Sequence, residues 1–282
     1  MDELDTTALV LALHQSSAQV QLAVAAALPA VARAVDAIVE RLQAGGHLHY
    51  FGAGTSGRLG VLDASEIPPT FGVSSEIVQG HIAGGPTALT DAVEGAEDSE
   101  QLGREAVRAA GLSPKDVAVA ISASGRTPYA LGALEAARGA GAFTIALVCN
   151  QASAMERVAE LALVAPTGAE ALAGSTRLNA GSAQKQILNL LSTAAMVRLG
   201  HTHQGLMVGV QATNEKLRAR ALRVLMDITG AKGQAAKDAL ESAQWEVRPA
   251  ALMLLRGCTV DEARSRLAAA KNSLRTALAA AP

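Results

Sequence analysis

Two short loops, rich in glycine and hydroxyl side chains, are the segments of this sequence best suited to chemistry. The first, Gly52 to Arg58 (GAGTSGR), follows an apolar run over residues 48–51. The second, Ser122 to Thr127 (SASGRT), follows another apolar run over residues 117–121. Backbone N–H groups at a helix N-terminus bind phosphate together with neighbouring hydroxyls, and glycine lets the backbone approach closely. The pair of loops therefore predicts a cradle for a small phosphorylated ligand.

The first loop also matches a dinucleotide-binding pattern, with Gly52, Gly54 and Gly57 in the spacing GxGxxG. A dinucleotide site needs an acidic ribose partner about 20 residues further on. The candidate, Glu76, stands at the start of a predicted strand and not at its end. A dinucleotide site would also leave the second loop without a role. Dinucleotide binding is therefore the weaker alternative, and two tight turns without a ligand are weaker still.

Two acidic clusters follow the loops, and each contains one candidate catalytic acid, Glu66 or Glu97. Glu66 is predicted to end the helix that the first loop opens, because Pro68 and Pro69 disfavour helix. The helix dipole opposes a carboxylate at that end, which is a hint of function. Spacing alone would make both glutamates solvated surface residues.

Two histidine pairs raise the question of a metal site. His47 and His49 lie two apart on a predicted strand and share one face, while His201 and His203 lie in a predicted loop. No carboxylate or cysteine completes a ligand set at the usual spacing in the sequence. The sequence therefore predicts no metal.

Alternating strands and helices predict a parallel sheet with helices on both faces. The helices are expected at residues 6–44 with a kink or break at Pro29, in two pieces within 86–111, at 128–138, from 182 to Gly200, from a Thr213 cap to 228, and as three short helices over 231–282. The strands are expected at residues 47–51, 76–78, 117–121, 143–148 and 161–164.

The composition limits the kinds of partner that the protein is expected to bind and the cellular compartment in which it is expected. Hydrophobic residues make up 50% of the 282 residues, but aromatic residues only 2%, which argues against base-stacking surfaces. The net charge of −2 gives no attraction to nucleic acid or to an anionic membrane. We see no signal peptide and no uninterrupted apolar run of about 20 residues. Cys149 and Cys258 form no CxxC pattern, so reduced thiols and a cytoplasmic location are expected.

Six segments of the sequence carry a recognisable pattern: residues 52–72 (GAGTSGRLGVLDASEIPPTFG), 82–85 (IAGG), 92–99 (AVEGAEDS), 122–129 (SASGRTPY), 174–200 and 213–217 (TNEKL). Together they resemble the bacterial N-acetylmuramic acid 6-phosphate etherases, to which animal glucokinase regulatory proteins are related. The resemblance is dense over residues 45–220 and looser beyond. This chain departs from the family pattern at Asn179, Gly205 and Gly209, where Lys, Asn and Asp are expected, and it lacks about 15 to 20 N-terminal residues.

The resemblance implies an α/β fold, namely a sugar-isomerase (SIS) domain: a flavodoxin-like three-layer sandwich with a five-stranded parallel sheet, plus a small C-terminal helical domain. The implied division is an N-terminal helical segment over 1–44, the SIS sugar-phosphate domain over 45–225 and a helical (UBA-like) domain over 226–282. It further implies a homodimer with active sites near the subunit interface, and neither a metal nor an organic cofactor.

The implied reaction is a lyase step of cell-wall recycling and amino-sugar catabolism. D-lactate is eliminated from N-acetylmuramic acid 6-phosphate, and water adds to give N-acetylglucosamine 6-phosphate. By resemblance, Glu66 donates a proton to the departing lactate and Glu97 is the base at C2, while Lys185 is a further candidate for charge near the ligand. The positions that match the family's phosphate and sugar contacts are Gly54, Thr55, Ser56, Ser122, Ser124, Gly125 and Thr127.

Two other functions stay open from the sequence. An SIS sugar-phosphate isomerase would use one base and need no acid at C3. A sugar-phosphate-sensing regulator would perform no catalysis, but a DNA-binding version is disfavoured because residues 1–44 contain only two basic side chains, Arg33 and Arg41. A glutamine-dependent aminotransferase is disfavoured because residue 2 is Asp2.

Overall fold

The computed structural model describes residues 1–210, 212 and 214–280. The chain divides into two compact units. The first comprises Met1–Ser65 and Ser75–Thr193, and the second comprises Glu66–Ser74 and the chain from Ala194 onward. The functional division into three segments, with boundaries at residues 45 and 226, remains a prediction.

A five-stranded parallel sheet forms the centre of the first unit, in the order β2-β1-β3-β4-β5. This confirms the expected α/β fold class. Residues of β1 and β3 are buried throughout, as continuous apolar runs predict for a sheet covered on both faces. Both candidate loops therefore start at the carboxyl edge of this sheet. The strands are β1 Leu48–Gly52, β2 Val78–Ile82, β3 Val117–Ser122, β4 Phe143–Val148 and β5 Leu161–Val164.

The second strand is displaced from its predicted position. The sequence predicts it at 76–78, whereas β2 spans Val78–Ile82 at the edge of the sheet. Its three central residues, Gln79, Gly80 and His81, are only partly buried. An edge strand with a polar and glycine-containing centre lacks the apolar pattern by which buried strands are identified.

Seven α-helices begin within the first 198 described residues. Two short 3-10 helices, Pro86–Leu89 and Ala96–Asp98, replace the first of the two helices expected over 86–111, and Ser99 caps the second. The helices are α1 Thr6–Ser16, α2 Ala18–Gln43, α3 Gly54–Phe71, α4 Glu100–Ala110, α5 Pro128–Gly139, α6 Ala154–Val158 and α7 Asn179–Arg198.

Proline interrupts neither long helix in which it occurs, contrary to both predictions. Pro29 lies inside α2, and the break falls at Ser17 instead. In α3, Pro68 and Pro69 each remove one backbone hydrogen bond, yet the helix continues to Phe71. Burial of apolar side chains in its last turns offsets that loss, and the Gly72 N–H closes the end by donating to the Pro68 carbonyl at 2.9 Å.

The position of Glu66 follows from this correction. It lies inside α3, with five more helical residues after it, and not at the helix C-terminus. The helix dipole therefore does not oppose the Glu66 carboxylate as expected, since that effect is confined to the last turn. The case for Glu66 rests on the family resemblance.

The second unit is helical apart from one small hairpin, β6 Thr202–His203 with β7 Leu206–Met207. Its C-terminal stretch forms four short helices within the described residues, where three were predicted. The predicted cap, Thr213, lies outside the described residues; Asn214 caps α8 through the Leu217 N–H at 2.9 Å. The helices are α8 Glu215–Thr229, α9 Gly233–Ser242, α10 Val247–Arg256, α11 Val260–Ala269 and α12 Leu274–Ala279.

Two departures from the family pattern have local structural reasons in this second unit. Gln204 and Gly205 form the hairpin turn with φ of +50° and +77°, and such a turn favours glycine. A Cβ at Gly209 would lie 2.0 Å from the carbonyl oxygen of Phe71, so this backbone admits only glycine there. Gly205 therefore fits the backbone conformation of the turn, and Gly209 allows a close backbone contact.

One described stretch, Thr6–Gln43, is long and apolar enough to cross a membrane by length and composition alone. No uninterrupted apolar run of about 20 residues was expected from the sequence. The stretch is interrupted at Ser17 between α1 and α2, and 44% of its apolar window is buried inside the protein. Core helices pass the same test, so this is weak evidence for a membrane span.

Candidate functional site

The two candidate loops meet at one cavity of about 350 Å³ at the carboxyl edge of the sheet. The cavity also receives Glu97 and Asp98 from the second 3-10 helix, and Thr176 from the segment before α7. Six of the seven residues expected to hold the phosphate and sugar line it: Gly54, Thr55, Ser56, Ser122, Ser124 and Thr127.

The hydroxyls of the second loop converge on Ser122, which is buried at the end of β3. Its Oγ accepts the Gly125 N–H at 3.0 Å and lies 2.8 Å from the Thr127 Oγ1 and 3.4 Å from the Ser124 Oγ. Ser124 in turn accepts the Arg126 N–H at 3.2 Å. These bonds hold three hydroxyls together on one side of the cavity, in the arrangement that an anion with several oxygens requires.

Gly125, the seventh expected residue, shapes the loop without lining the cavity. Its φ is +65°, and a Cβ there would lie 2.4 Å from the Cβ of Ser153. Its carbonyl accepts the Met155 N–H at 3.1 Å, which ties the loop to the start of α6. Only glycine satisfies both the dihedral and the close approach.

Two helices point their N-termini toward this cavity. α3 begins at Gly54, and α5 begins at Pro128, whose preceding cap residue Thr127 makes no side-chain cap hydrogen bond. Free N–H groups and the positive end of each helix dipole favour an anion there. Arg126, an exposed side chain that lines the same cavity, adds a full positive charge. The cavity is therefore built for an anionic group such as a phosphate.

Ser56 is tied to a buried glutamine that sequence inspection missed. The Ser56 Oγ donates to the Oε1 of Gln184 at 2.9 Å, and Gln184 is 1% exposed. The Nε2 of Gln184 has no hydrogen-bond partner within the part of the chain that the structure describes. Because 128 residues separate the pair, no local pattern could have identified it. Ser56 thus joins the first loop to α7.

Glu97 connects this cavity to a second one of about 260 Å³. Arg58 lines the second cavity, and its guanidinium donates to the carbonyls of Leu89 at 3.1 Å and Asp91 at 3.2 Å. Much of the remaining lining is small and apolar: Ala53, Ala83, Ala88, Ala92, Val93 and Ala96. Asp91 and Glu94 also line the second cavity, and Glu97 is the acidic residue that lines both cavities.

Glu66 and Lys185 do not join this arrangement within the chain. Glu66 is exposed and follows Gly54 by twelve residues of α3, a rise of about 18 Å along the helix axis. Lys185 donates to the Oδ1 of Asn189. Neither side chain is among those that line the two cavities.

Asn179, the third departure from the family pattern, is buried and donates to the Ser16 carbonyl at 3.2 Å, so it ties α7 to α1.

A buried network anchors α3 behind the first loop. The carboxylate of Asp63 accepts the Tyr50 hydroxyl at 3.1 Å and the Ser192 hydroxyl at 3.2 Å. Burial raises the pKa of Asp63, and burial together with the Asp63 charge raises the pKa of Tyr50 well above its usual value. The network links α3 to β1 and α7. It holds the helix that carries the first loop and takes no direct part in the cavity.

Comparisons with known families agree with this fold and cavity. Residues 30–138 match the glucokinase regulatory protein N-terminal SIS domain, and residues 101–194 match the SIS domain. A phosphoheptose isomerase from Francisella tularensis shares the fold, with a TM-score of 0.54 at 23% identity, covering 69% of this chain and 100% of that one. The protein is thus an SIS-domain protein with an α/β sheet and an additional helical region.

Full-length relatives define the family more narrowly. The chain is 50% identical over 278 residues to the N-acetylmuramic acid 6-phosphate etherase of Cronobacter sakazakii, covering 99% of this chain and 94% of that protein. It is 51% identical, with the same coverage, to the protein of that name from an Enterobacter species. The chain belongs to the N-acetylmuramic acid 6-phosphate etherase family.

Proposed function

We propose that this protein is a lyase that converts N-acetylmuramic acid 6-phosphate and water into D-lactate and N-acetylglucosamine 6-phosphate. Identity of about 50% along nearly the whole chain to proteins of that name supports the proposal. The structural observation that carries it is a single cavity that holds both hydroxyl loops and a carboxylate, Glu97. We place the reaction in cell-wall recycling and amino-sugar catabolism.

The 6-phosphate is bound by the second loop and the two helix N-termini, with Arg126 as counter-charge. The sugar then extends toward Glu97. In the open-chain sugar the C2 proton is acidic because it is α to the aldehyde, so the carboxylate of Glu97 removes it. The carbanion expels the lactyl oxygen from C3 as an acid protonates that oxygen, and this forms a C2–C3 double bond. Water then adds at C3, with its proton going to C2.

The second cavity has the size and lining for the groups carried by C2 and C3. Its alanine side chains and Val93 suit a methyl group, as found in both the acetamido and the lactyl substituents. Glu97, at the boundary of the two cavities, would then face the carbons between the phosphate and these substituents. The proposal thus assigns a role to both cavities.

The departing lactate needs a proton donor, and we assign that role to Glu66 of a second copy of the chain. The helix rise of about 18 Å between Gly54 and Glu66 is long compared with a hexose phosphate. The family resemblance implies a homodimer with active sites near the interface. Apolar side chains exposed on α2, such as Leu22 at 67% and Leu28 at 45%, are candidates for burial in that dimer.

We also propose a cytoplasmic location. Both cysteines, Cys149 and Cys258, are free thiols in the structure. Burial raises the pKa of Cys149 to about 12, so this thiol is unreactive at neutral pH. The proposed substrate also fits this location, because a sugar phosphate is the kind of metabolite that the cytoplasm contains.

The purified protein is expected to release D-lactate from N-acetylmuramic acid 6-phosphate in a coupled lactate dehydrogenase assay. Lactate and N-acetylglucosamine 6-phosphate should form in equal amounts, because one ether bond is lost per product. N-acetylmuramic acid without the phosphate is the matched control substrate and should react far more slowly. Sugar-phosphate interconversion without lactate would instead identify an isomerase, and ligand binding without turnover would identify a sensor.

Replacing Arg126 by glutamine is expected to raise KM for the sugar phosphate while leaving kcat nearly unchanged. A charge-assisted hydrogen bond to a phosphate contributes about 1.5–3 kcal/mol, so the increase in KM should be roughly ten- to a hundredfold. Arg138 lies outside both cavities, and Arg138→Gln is the control for loss of one positive charge. An unchanged KM in Arg126→Gln would remove this residue from phosphate binding.

A further inference from the structure

A cluster of metal-binding side chains lies at the opposite edge of the sheet from the cavity. His47 directly precedes β1, His49 lies within β1, and Asp116 directly precedes β3. One potential ligand atom from each residue lies within 4.8 Å of the others. Neither loop takes part in this cluster, and none of the three residues lines either cavity.

The carboxylate of Asp116 is fixed in place by surrounding donors. One oxygen, Oδ1, accepts the His47 N–H at 2.7 Å and lies 3.2 Å from the His47 Nδ1. The other, Oδ2, accepts the N–H and the hydroxyl of Ser113, each at 2.7 Å. These contacts hold the Asp116 carboxylate in one orientation beside His47.

The second imidazole is oriented by a third histidine. The Nδ1 of His49 lies 3.1 Å from the Nε2 of His81 on β2, and the two rings are stacked with centroids 5.4 Å apart. This contact leaves Nε2 as the ring nitrogen of His49 that is available to a metal. His49 is buried, with 1% of its surface exposed. A metal-bound histidine typically donates its other N–H to such an acceptor.

We propose that His47, His49 and Asp116 bind a divalent transition metal of the zinc class, with water or an exogenous ligand in a fourth position. Two imidazoles and one carboxylate suit zinc and its neighbours better than the oxygen-seeking cations magnesium and calcium. Tetrahedral zinc with bonds of about 2.0–2.1 Å needs ligand atoms about 3.4 Å apart. The His47 side chain, 39% exposed, provides both the freedom for this adjustment and an entry path.

The proposed metal would fasten the start of β1 to the start of β3. These two strands carry the phosphate loops at their other ends, and the Val117 N–H already donates to the His47 carbonyl at 2.9 Å. The metal is therefore structural and takes no part in the proposed lyase reaction. This inference does not depend on that reaction, because the cluster and the cavities share no residue.

Zinc binding is tested on tag-free, full-length protein that has been treated with a chelator and then freed of it. Calorimetric titration with zinc chloride should show one site per chain, and cobalt(II) should give the absorption bands of a tetrahedral N/O site. His47→Ala should weaken binding at least tenfold, because it removes one of three ligands at a half-exposed position. His14→Ala, at an exposed position in α1, is the matched control and should bind zinc as the wild type does.

A second variant tests the orienting role of His81. His81→Phe keeps the stacking with Phe51, whose ring lies 4.6 Å away, but removes the acceptor for His49, so it should weaken zinc binding about tenfold. Absence of zinc binding by the wild type would overturn the proposal. So would a site that survives His47→Ala, or one lost in His203→Ala, which would point to the other histidine pair. Lactate release should be unaffected by removal of zinc.

Discussion

Replacing Glu97 by glutamine is expected to lower kcat for lactate release by about 10²- to 10⁴-fold, the usual contribution of a general base. Glutamine preserves the size of the side chain but cannot accept the C2 proton. KM should change little, because the proposed phosphate contacts come from the second loop, Arg126 and the helix N-termini. We therefore expect kcat and the rate of C2 proton exchange with solvent deuterium to fall together, while KM stays near the wild-type value.

The control for Glu97→Gln is an exposed acid outside both cavities. Glu105 on α4 meets this condition, since it is exposed and its carboxylate accepts a hydrogen bond from the Gln101 amide at 2.8 Å. Glu105→Gln should retain wild-type turnover. If Glu97→Gln exchanged the C2 proton at the wild-type rate, Glu97 would not be the base. Asp98, which lines the same cavity, would then be the next candidate.

The sequence predicted the parts of the fold whose signals are local. β4 and β5 begin and end where expected, because each is a short and largely apolar run between turns. β2 was misplaced because an edge strand with Gly80 and His81 at its centre lacks such a run. Pro29 and Pro68 were expected to break helices, but packing of the surrounding apolar residues outweighs one lost hydrogen bond.

The candidate site also has parts that a local sequence pattern predicts and parts that it does not. Both candidate loops are contiguous segments, so residue type and spacing were enough to predict that they meet, and they line one cavity. Gln184 acts on the site through a bond to a residue 128 positions away, and Asp116 reaches His47 across 69 positions. Pairs of this kind depend on which strands and helices become neighbours, and a single sequence does not carry that information. Asp116 is also the carboxylate that the sequence spacing did not place beside the histidine pair.

Replacing Glu66 by glutamine is expected to abolish lactate release, since the lactyl oxygen would leave without a proton. The loss should again be about 10²- to 10⁴-fold in kcat. C2 proton exchange should persist, because Glu97 acts before the bond to lactate breaks. Binding of the product, N-acetylglucosamine 6-phosphate, should also persist, since Glu66 lines neither cavity of its own chain. Calorimetry for binding and deuterium exchange separate this variant from Glu97→Gln.

Mixing the two inactive variants tests whether Glu66 acts across a dimer. A heterodimer of one Glu66→Gln chain and one Glu97→Gln chain would have one site with both glutamates intact and one site with neither. It should therefore show about half the turnover of the wild-type dimer. If both glutamates served the cavity of their own chain, each site would lack one of them and the heterodimer would stay inactive. Since Glu66 lies about 18 Å along α3 from the phosphate loop, we expect activity to return.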